Sequence, residues 1–423
     1  MATPLLVMFV LLVVLLAIGV QIGVALSLAA MAAVVIGDVP MAIFSGIFYS
    51  TFESVPLLAI PFFVIAGEIM SQGTLARVLL QFSRTLVGHM HGGLAHISVM
   101  TSLFYGALCG SAPATLAAVG GMVLPSMKEE GYPEPFSAAL CAAGGALGPI
   151  IPPSIAVILF GSMSGASISD LFIAMIPGGI LIAVAFMGVS YYYSRRYGYG
   201  RLAPRASWGE RGRALWNAKW ALLVPVIVLG GIYGGITTPT EAGGVAVVYS
   251  LFVECFITRN MTWELAGKIF MSSLRSTGMI FLIVIGALVL GQVLVYFQAD
   301  AVIAGYITGI TTNKYILMAL FVLLFILLGC FMEVSSAILL MTPVLMPIVT
   351  AVGINPIHFG VVFVTTIVCG VITPPVGINL FMACAMTGTP FSAVCRAAGP
   401  FICAMLGVTV LIAFVPQVCL FLL

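Results

Sequence analysis

Hydroxyls beside glycine and proline, set deep inside apolar runs, are the residues of this chain best suited to chemistry. Gly110, Ser111, Pro113 and Thr115 stand in CGSAPAT (109–115), and Gly148, Pro152, Pro153 and Ser154 in GPIIPPS (148–154). The mixture returns as Glu333, Ser335 and Ser336 in MEVSSA (332–337), then as Thr373, Pro374, Pro375, Gly377 and Asn379 in VITPPVGIN (371–379). Adjacent prolines remove two backbone donors and clash with the preceding turn, so neither pair fits inside a continuous helix. Backbone freed in this way at membrane depth is tolerated only where it lines a cavity or binds something. Its carbonyls, with the hydroxyls of Ser111, Thr115, Ser335, Ser336 and Thr373, offer hard neutral oxygens to a cation such as sodium. Ser111 and Ser154 each open a returning half-helix, Ser111 as an N-cap with Pro113 in the first turn. Helix N-termini brought to midplane favour an anion. The chemistry expected is ligation of a small anion and a coupling cation, with no further cofactor.

No Ser/His, HExxH or paired-Asp arrangement appears in the apolar runs, so an intramembrane protease or phosphatase would lack its nucleophile and base, and no enzyme is expected. Four carboxylates stand in or beside these runs: Glu68, Glu241, Glu254 and Glu333. Glu241 follows Pro239 and reads as a helix cap. Glu333 takes the place of Ser111 at the tip of the second hairpin, where it suits a cation ligand, a proton carrier or a water-facing group. His89, His91 and His96 have no neighbouring acid or thiol to complete a metal site. The nine cysteines show no CxxC or Cys/His spacing and read as small buried residues.

The elements that must position these residues are membrane helices. Charged residues make up 7% of the 423-residue chain against about 25% in a soluble domain, too few to solvate its surface. Residues 334–395 contain no Asp, Glu, Lys or Arg, enough length for two spans of about 20 residues. Similar runs cover 1–37, 85–127, 135–169, 171–194 and 397–423. The first lacks a basic start and is too long for a signal peptide, so it belongs to the membrane structure. The fold class is an all-α polytopic membrane protein. A basic cluster of Arg195, Arg196, Arg201, Arg205, Arg211, Arg213 and Lys219 fills the one long polar segment. A short loop of this kind between apolar runs is an orientation signal that places it in the cytoplasm, not a nucleic-acid site.

The breaks belong to a repeat. Pro125 and Pro347 lie 222 positions apart, as do Gly131 and Gly353, Gly148 and Gly370, Pro152 and Pro374, and Pro153 and Pro375. Matches confined to Gly and Pro imply duplicated backbone shape. The first repeat is 1–198, with a re-entrant hairpin at 94–127 and a broken helix at 134–165. The second is 217–423, with a hairpin at 315–349 and a broken helix at 357–387, and 199–216 is the cytoplasmic loop between them. Walking outward from that loop puts all of the 15 Lys and Arg residues except Lys314 on the cytoplasmic side. The first hairpin then enters from the cytoplasm, the second from outside, and both termini lie outside, as in two repeats of inverted topology. Inverted repeats with broken helices are the architecture of secondary transporters.

GSAPATLAAVGGMVLPSM, GPIIPPSIAVILFGSMSGASISDLFIAMIPG, GGITTPTEAGGVAVVYS and GVITPPVGINLF resemble the large membrane subunit of tripartite ATP-independent periplasmic (TRAP) transporters, over nearly the whole chain. The resemblance implies a multi-pass protein of the bacterial inner membrane that imports an organic acid, a carboxylate such as a C4-dicarboxylate or sialic acid, with a sodium gradient. It implies an elevator-type fold, in which a domain holding both hairpins slides against a fixed scaffold. Sodium ligands would fall around Ser111 and 148–153, and around Ser335 and 373–377. It also implies two partners, a small four-helix membrane subunit and a periplasmic substrate-binding protein. The alternative is a self-sufficient sodium- or proton-coupled symporter for divalent anions. No Arg or Lys inside an apolar run offers a clamp for one particular carboxylate.

Overall fold

A computed structural model describes residues 2–72, 75–200, 204–299 and 313–423; Arg201 of the basic cluster lies outside them. Among the described residues all regular structure is helical, and eight helices are long and apolar enough to cross a membrane. The chain is therefore a multi-pass membrane protein.

One group of helices comes from two separate stretches: α1 (Ala2–Ala17), α2 (Ile22–Ile36), α3 (Ala42–Glu53), α4 (Val55–Gln72) and α5 (Leu75–Val87) from the first. The second stretch, after the intervening helices α6 to α11 described below, supplies α12 (Trp208–Tyr233), α13 (Pro239–Phe252) and α14 (Trp263–Tyr296). In a membrane, helices associate by close packing at small residues. Here α2 meets α14 at Gly23 and Gly286, where a Cβ built on Gly286 would lie 2.9 Å from the Gly23 carbonyl. The α4 and α13 helices pack in the same group, and the Thr240 hydroxyl donates to the Val55 carbonyl at 2.7 Å. Glu241 caps α13 through a reciprocal box with Thr238, the capping role expected of it. A second box, Ser207 with Glu210, starts α12 at Trp208. The polar segment read as a loop over 199–216 is thus helical from Trp208 onward, and Arg211, Arg213 and Lys219 ride on α12.

The second group holds the breaks. A hairpin of α6 (Gly93–Cys109) and a return arm turns at Gly110 and Ser111. The arm runs through α7 (Ala112–Thr115), one π turn (Leu116–Gly120) and α8 (Gly121–Glu129). Gly110 takes φ +62°, a left-handed conformation that a side chain would strain. Next, α9 (Glu134–Gly145) and α10 (Ile155–Ser164) flank the first unwound segment, and α11 (Ile168–Tyr197) leads away. Later in the chain, α15 (Lys314–Phe331) and α16 (Val334–Ala351) form the second hairpin, turned at Met332 and Glu333. The second broken helix is α17 (Pro356–Val371) and α18 (Ile378–Thr387), followed by α19 (Phe391–Phe414) and α20 (Gln417–Leu420). Pro152–Pro153 and Pro374–Pro375 are both cis peptides.

Buried aromatic rings join the two hairpin-bearing stretches. Phe160 of α10 packs on Phe359 and Phe363 of α17, and Phe325 of α15 stacks on Phe363 with ring centroids 4.1 Å apart. Seven of the nine cysteines are buried or half-buried, but Cys255 and Cys403 are exposed, on helix faces an isolated protein leaves open.

Candidate functional site

The first hairpin tip rests on the first break through backbone. A Cβ built on Gly148 would lie 2.5 Å from the Ser111 carbonyl oxygen and 2.6 Å from Thr115 Oγ1. One built on Gly110 would lie 3.1 Å from the Pro153 carbonyl oxygen. Glycine at these two positions brings a carbonyl of the tip, a buried hydroxyl and the unwound segment into one small oxygen-rich region. Thr115 Oγ1 shares it with the Cys109 thiol at 3.4 Å. Ser111 occupies the expected N-cap position, yet its hydroxyl makes no capping bond. Ser154 occupies the equivalent position of α10 and behaves differently: fully buried, it donates to the Pro149 carbonyl at 2.5 Å and accepts from the Val157 N–H at 3.5 Å. Pro152 and Pro153 are buried beside it.

These contacts separate two kinds of serine. Ser111→Ala is expected to leave the thermal midpoint within about 2 °C while weakening sodium dependence, because no intramolecular bond is lost. Ser154→Ala should cost about 1–2 kcal/mol, seen as a lower midpoint, because it orphans the buried Pro149 carbonyl. Unfolding scans of both variants with and without sodium test the contrast.

The second tip is built alike but finished with a charge. Glu333 caps α16, its Oε2 accepting from the Ser336 N–H at 3.1 Å and its Oε1 from the Ser335 hydroxyl at 3.1 Å. This carboxylate occupies the helix N-terminus that was expected to face an anion. The second break packs against α15: the Gly377 N–H donates to the Cys330 carbonyl at 3.2 Å, and the Cys330 thiol to that of Pro374 at 3.5 Å. The Thr373 hydroxyl donates to the Cys369 carbonyl one turn back at 2.7 Å, keeping only its lone pairs for a ligand. Unlike the first pair, Pro374 and Pro375 are exposed. Asn379 reaches across to α9, where its Nδ2 donates to the Ala142 carbonyl at 3.1 Å. Its Oδ1 is buried with no hydrogen-bond partner.

Both tips open onto one cavity of about 530 Å³. Gly110, Ser111 and Pro113 line it from the first hairpin, and Glu333, Ser335 and Ser336 from the second. The first break contributes Pro149, while Thr115 and Gly148 stand directly behind the first tip. Thr373, Pro374, Pro375, Gly377 and Asn379 are not among the lining residues. The opposite wall comes from the first helix group: Gln21, Glu68 and Ser71, with Ser276 of α14. Glu68 was singled out as a carboxylate, but its place opposite the tips was not legible, and Gln21, Ser71 and Ser276 were missed. The usable signal was spacing, since Glu68 and Ser71 are three apart on α4, and Ser272 and Ser276 four apart on α14, each pair sharing a helix face.

Two hairpin tips and one helix break around one cavity, in a chain with eight candidate spans, define a polytopic permease. Residues 9–418 match the family described as the tripartite ATP-independent periplasmic transporter, DctM component. The chain belongs to that family. It is 38% identical over 393 residues to the isethionate TRAP transporter permease protein DctMQ of Oleidesulfovibrio alaskensis, covering 93% of this chain and 62% of that one, so it spans less than two thirds of that relative. It is 38% identical to the C4-dicarboxylate TRAP transporter large permease protein DctM of Pseudomonas aeruginosa (88% and 87% covered). To the sialic acid TRAP transporter large permease protein SiaM of Vibrio cholerae it is 35% identical (86% and 85% covered). In fold it is similar to the YdaH transporter of Alcanivorax borkumensis, with a TM-score of 0.60 at 15% identity over 88% of this chain and 86% of that one.

Proposed function

We propose that this protein imports an organic acid across the bacterial inner membrane with a sodium gradient, as the large subunit of a TRAP transporter. The observation that carries the reading is the shared cavity, which sets both hairpin tips against a wall of helices from the other group. In an elevator mechanism α6 to α11 and α15 to α20 move together past a frame of α1 to α5 and α12 to α14. The backbone contacts that repeat in each half support two inverted repeats, 1–198 and 217–423. A Cβ on Gly106 would lie 3.0 Å from Gly148 Cα, and one on Gly329 the same distance from Gly370 Cα. The oxygens around Ser111, Thr115 and Gly148, and those around Glu333 and Ser335, are the proposed sodium ligands, with Asn379 Oδ1 and the lone pairs of Thr373 beside the second break. Relatives named for C4-dicarboxylates, sialic acid and isethionate support a small organic acid as the substrate. The basic segment faces the cytoplasm and both termini the periplasm.

The relatives' names also support the remaining partners, a small membrane subunit completing the frame and a periplasmic binding protein delivering substrate. Reconstituted alone in liposomes under an inward sodium gradient, the chain is expected to accumulate no organic acid. Uptake should appear once the small subunit and the loaded binding protein are both present, and only with sodium outside. Robust uptake by the single chain would establish a self-sufficient symporter instead.

A further inference from the structure

The cavity between the tips and the frame has an uneven charge. Glu68 and Glu333 line it, and among the described residues no Lys, Arg or His does. Neutral groups hold both carboxylates. Glu333 is bound by Ser335 and Ser336, and Glu68 accepts from the Ser272 hydroxyl at 2.9 Å and from Gln72 Nε2 at 3.0 Å. Such bonds fix a carboxylate without cancelling its charge. Lys268 and Arg275 of α14 line the adjoining shallow pocket, but Lys268 is paired with Glu264 at 2.8 Å and neither forms an ion pair with Glu68. The other polar groups on the wall that holds Glu68, Gln21, Ser71 and Ser276, are neutral.

Glu68 also stands beside a close approach of frame and tip. The preceding residue is Gly67, and a Cβ built there would lie 3.2 Å from Cys109 Cα, at the base of the first tip. The Glu68 charge therefore belongs to the frame, while the Glu333 charge and the oxygens around Ser111 belong to the hairpins.

We infer that Glu68 is a positioning residue for the coupling cation, acting through its field and not as a ligand. It raises the sodium affinity of the tips while they face α4 and withdraws that contribution when they move away. The inference rests on the sodium-coupled reading above. A unit charge about 10 Å away, acting through an effective dielectric of about 20, changes a cation's affinity roughly tenfold. Such a difference would favour loading at one end of the stroke and release at the other.

Equilibrium binding of radiolabelled sodium to the purified full chain in lipid nanodiscs tests this. Glu68→Gln is expected to weaken sodium roughly tenfold, and Glu68→Asp, which keeps the charge, to stay within about threefold. Gln21→Glu adds a second charge to the same wall and should tighten sodium severalfold, a gain that misfolding does not imitate. Equal losses in both Glu68 variants would assign the effect to packing and overturn the inference. So would unchanged binding in Glu68→Gln, or no tightening in Gln21→Glu. Unsubstituted protein that binds no sodium would sink the sodium reading itself, and the inference with it, before any variant is made.

Discussion

Gly148→Ala is expected to abolish sodium-dependent uptake and to lower the thermal midpoint by several degrees. The added Cβ would meet the Ser111 carbonyl oxygen at 2.5 Å, Thr115 Oγ1 at 2.6 Å and the Ser111 carbonyl carbon at 2.8 Å. Two of these are backbone atoms of the tip, which cannot rotate aside as a long side chain would. Forcing an extra carbon into close-packed interior costs about 1–3 kcal/mol, and about 1 kcal/mol moves the midpoint of a large domain by roughly 2–4 °C. The loss of transport should be larger than the loss of stability, because the atoms displaced are proposed cation ligands. Gly121→Ala is the control: it lies in the return arm of the same hairpin, with nothing within 4 Å of an added Cβ. It should be neutral or slightly stabilising, since Ala is the better helix former. If both variants unfold and transport alike, the tip does not rest on the break as described.

Asn379→Asp should make stability depend on sodium. The side chain is fully buried, its Nδ2 satisfies the Ala142 carbonyl, and its Oδ1 has no partner. Aspartate at this place loses the donor and puts a carboxylate where an amide oxygen was, a change costing several kcal/mol unless a cation compensates. With choline as the only cation the variant should melt at least about 5 °C below the parent, and saturating sodium should restore much of the difference. Rescue by sodium and not by choline identifies Oδ1 as facing the ion. A variant destabilised equally in both salts would make Asn379 a structural bracket between the two halves of the chain.

The helix breaks were legible because Gly and Pro act locally. Two adjacent prolines interrupt a helix whatever surrounds them, so the unwound segments ahead of Ser154 and Gly377 could be read from residue types alone. The absence of charge over 334–395 marked membrane helices with equal directness. What each hydroxyl does was not legible. Ser111 and Ser154 both precede a half-helix, yet only Ser154 bonds to its neighbours, because the Pro149 carbonyl folds back onto it. Thr373 was grouped with the ligands on type and position, while the local turn takes its proton. The wall bearing Gln21, Ser71 and Ser276 was invisible for a different reason, since Ser71 and Ser276 sit in helices and Gln21 stands at the N-cap of one, and all three gain meaning only when distant stretches pack together. The start of α12 was misplaced because its basic residues suggested a loop, whereas the Ser207–Glu210 box begins the helix there.

Glu333 caps a hairpin that the proposed mechanism sets in motion, and that has an electrical consequence. An unloaded stroke from inside to outside would carry its negative charge away from the negative face of an energised membrane. Full transit of one charge is worth about 2.3 kcal/mol per 100 mV, and the stroke collects the fraction of the field it crosses. The resting potential would then hasten the return of the empty carrier, with net transport rising on hyperpolarisation even where sodium and substrate together neutralise the loaded stroke.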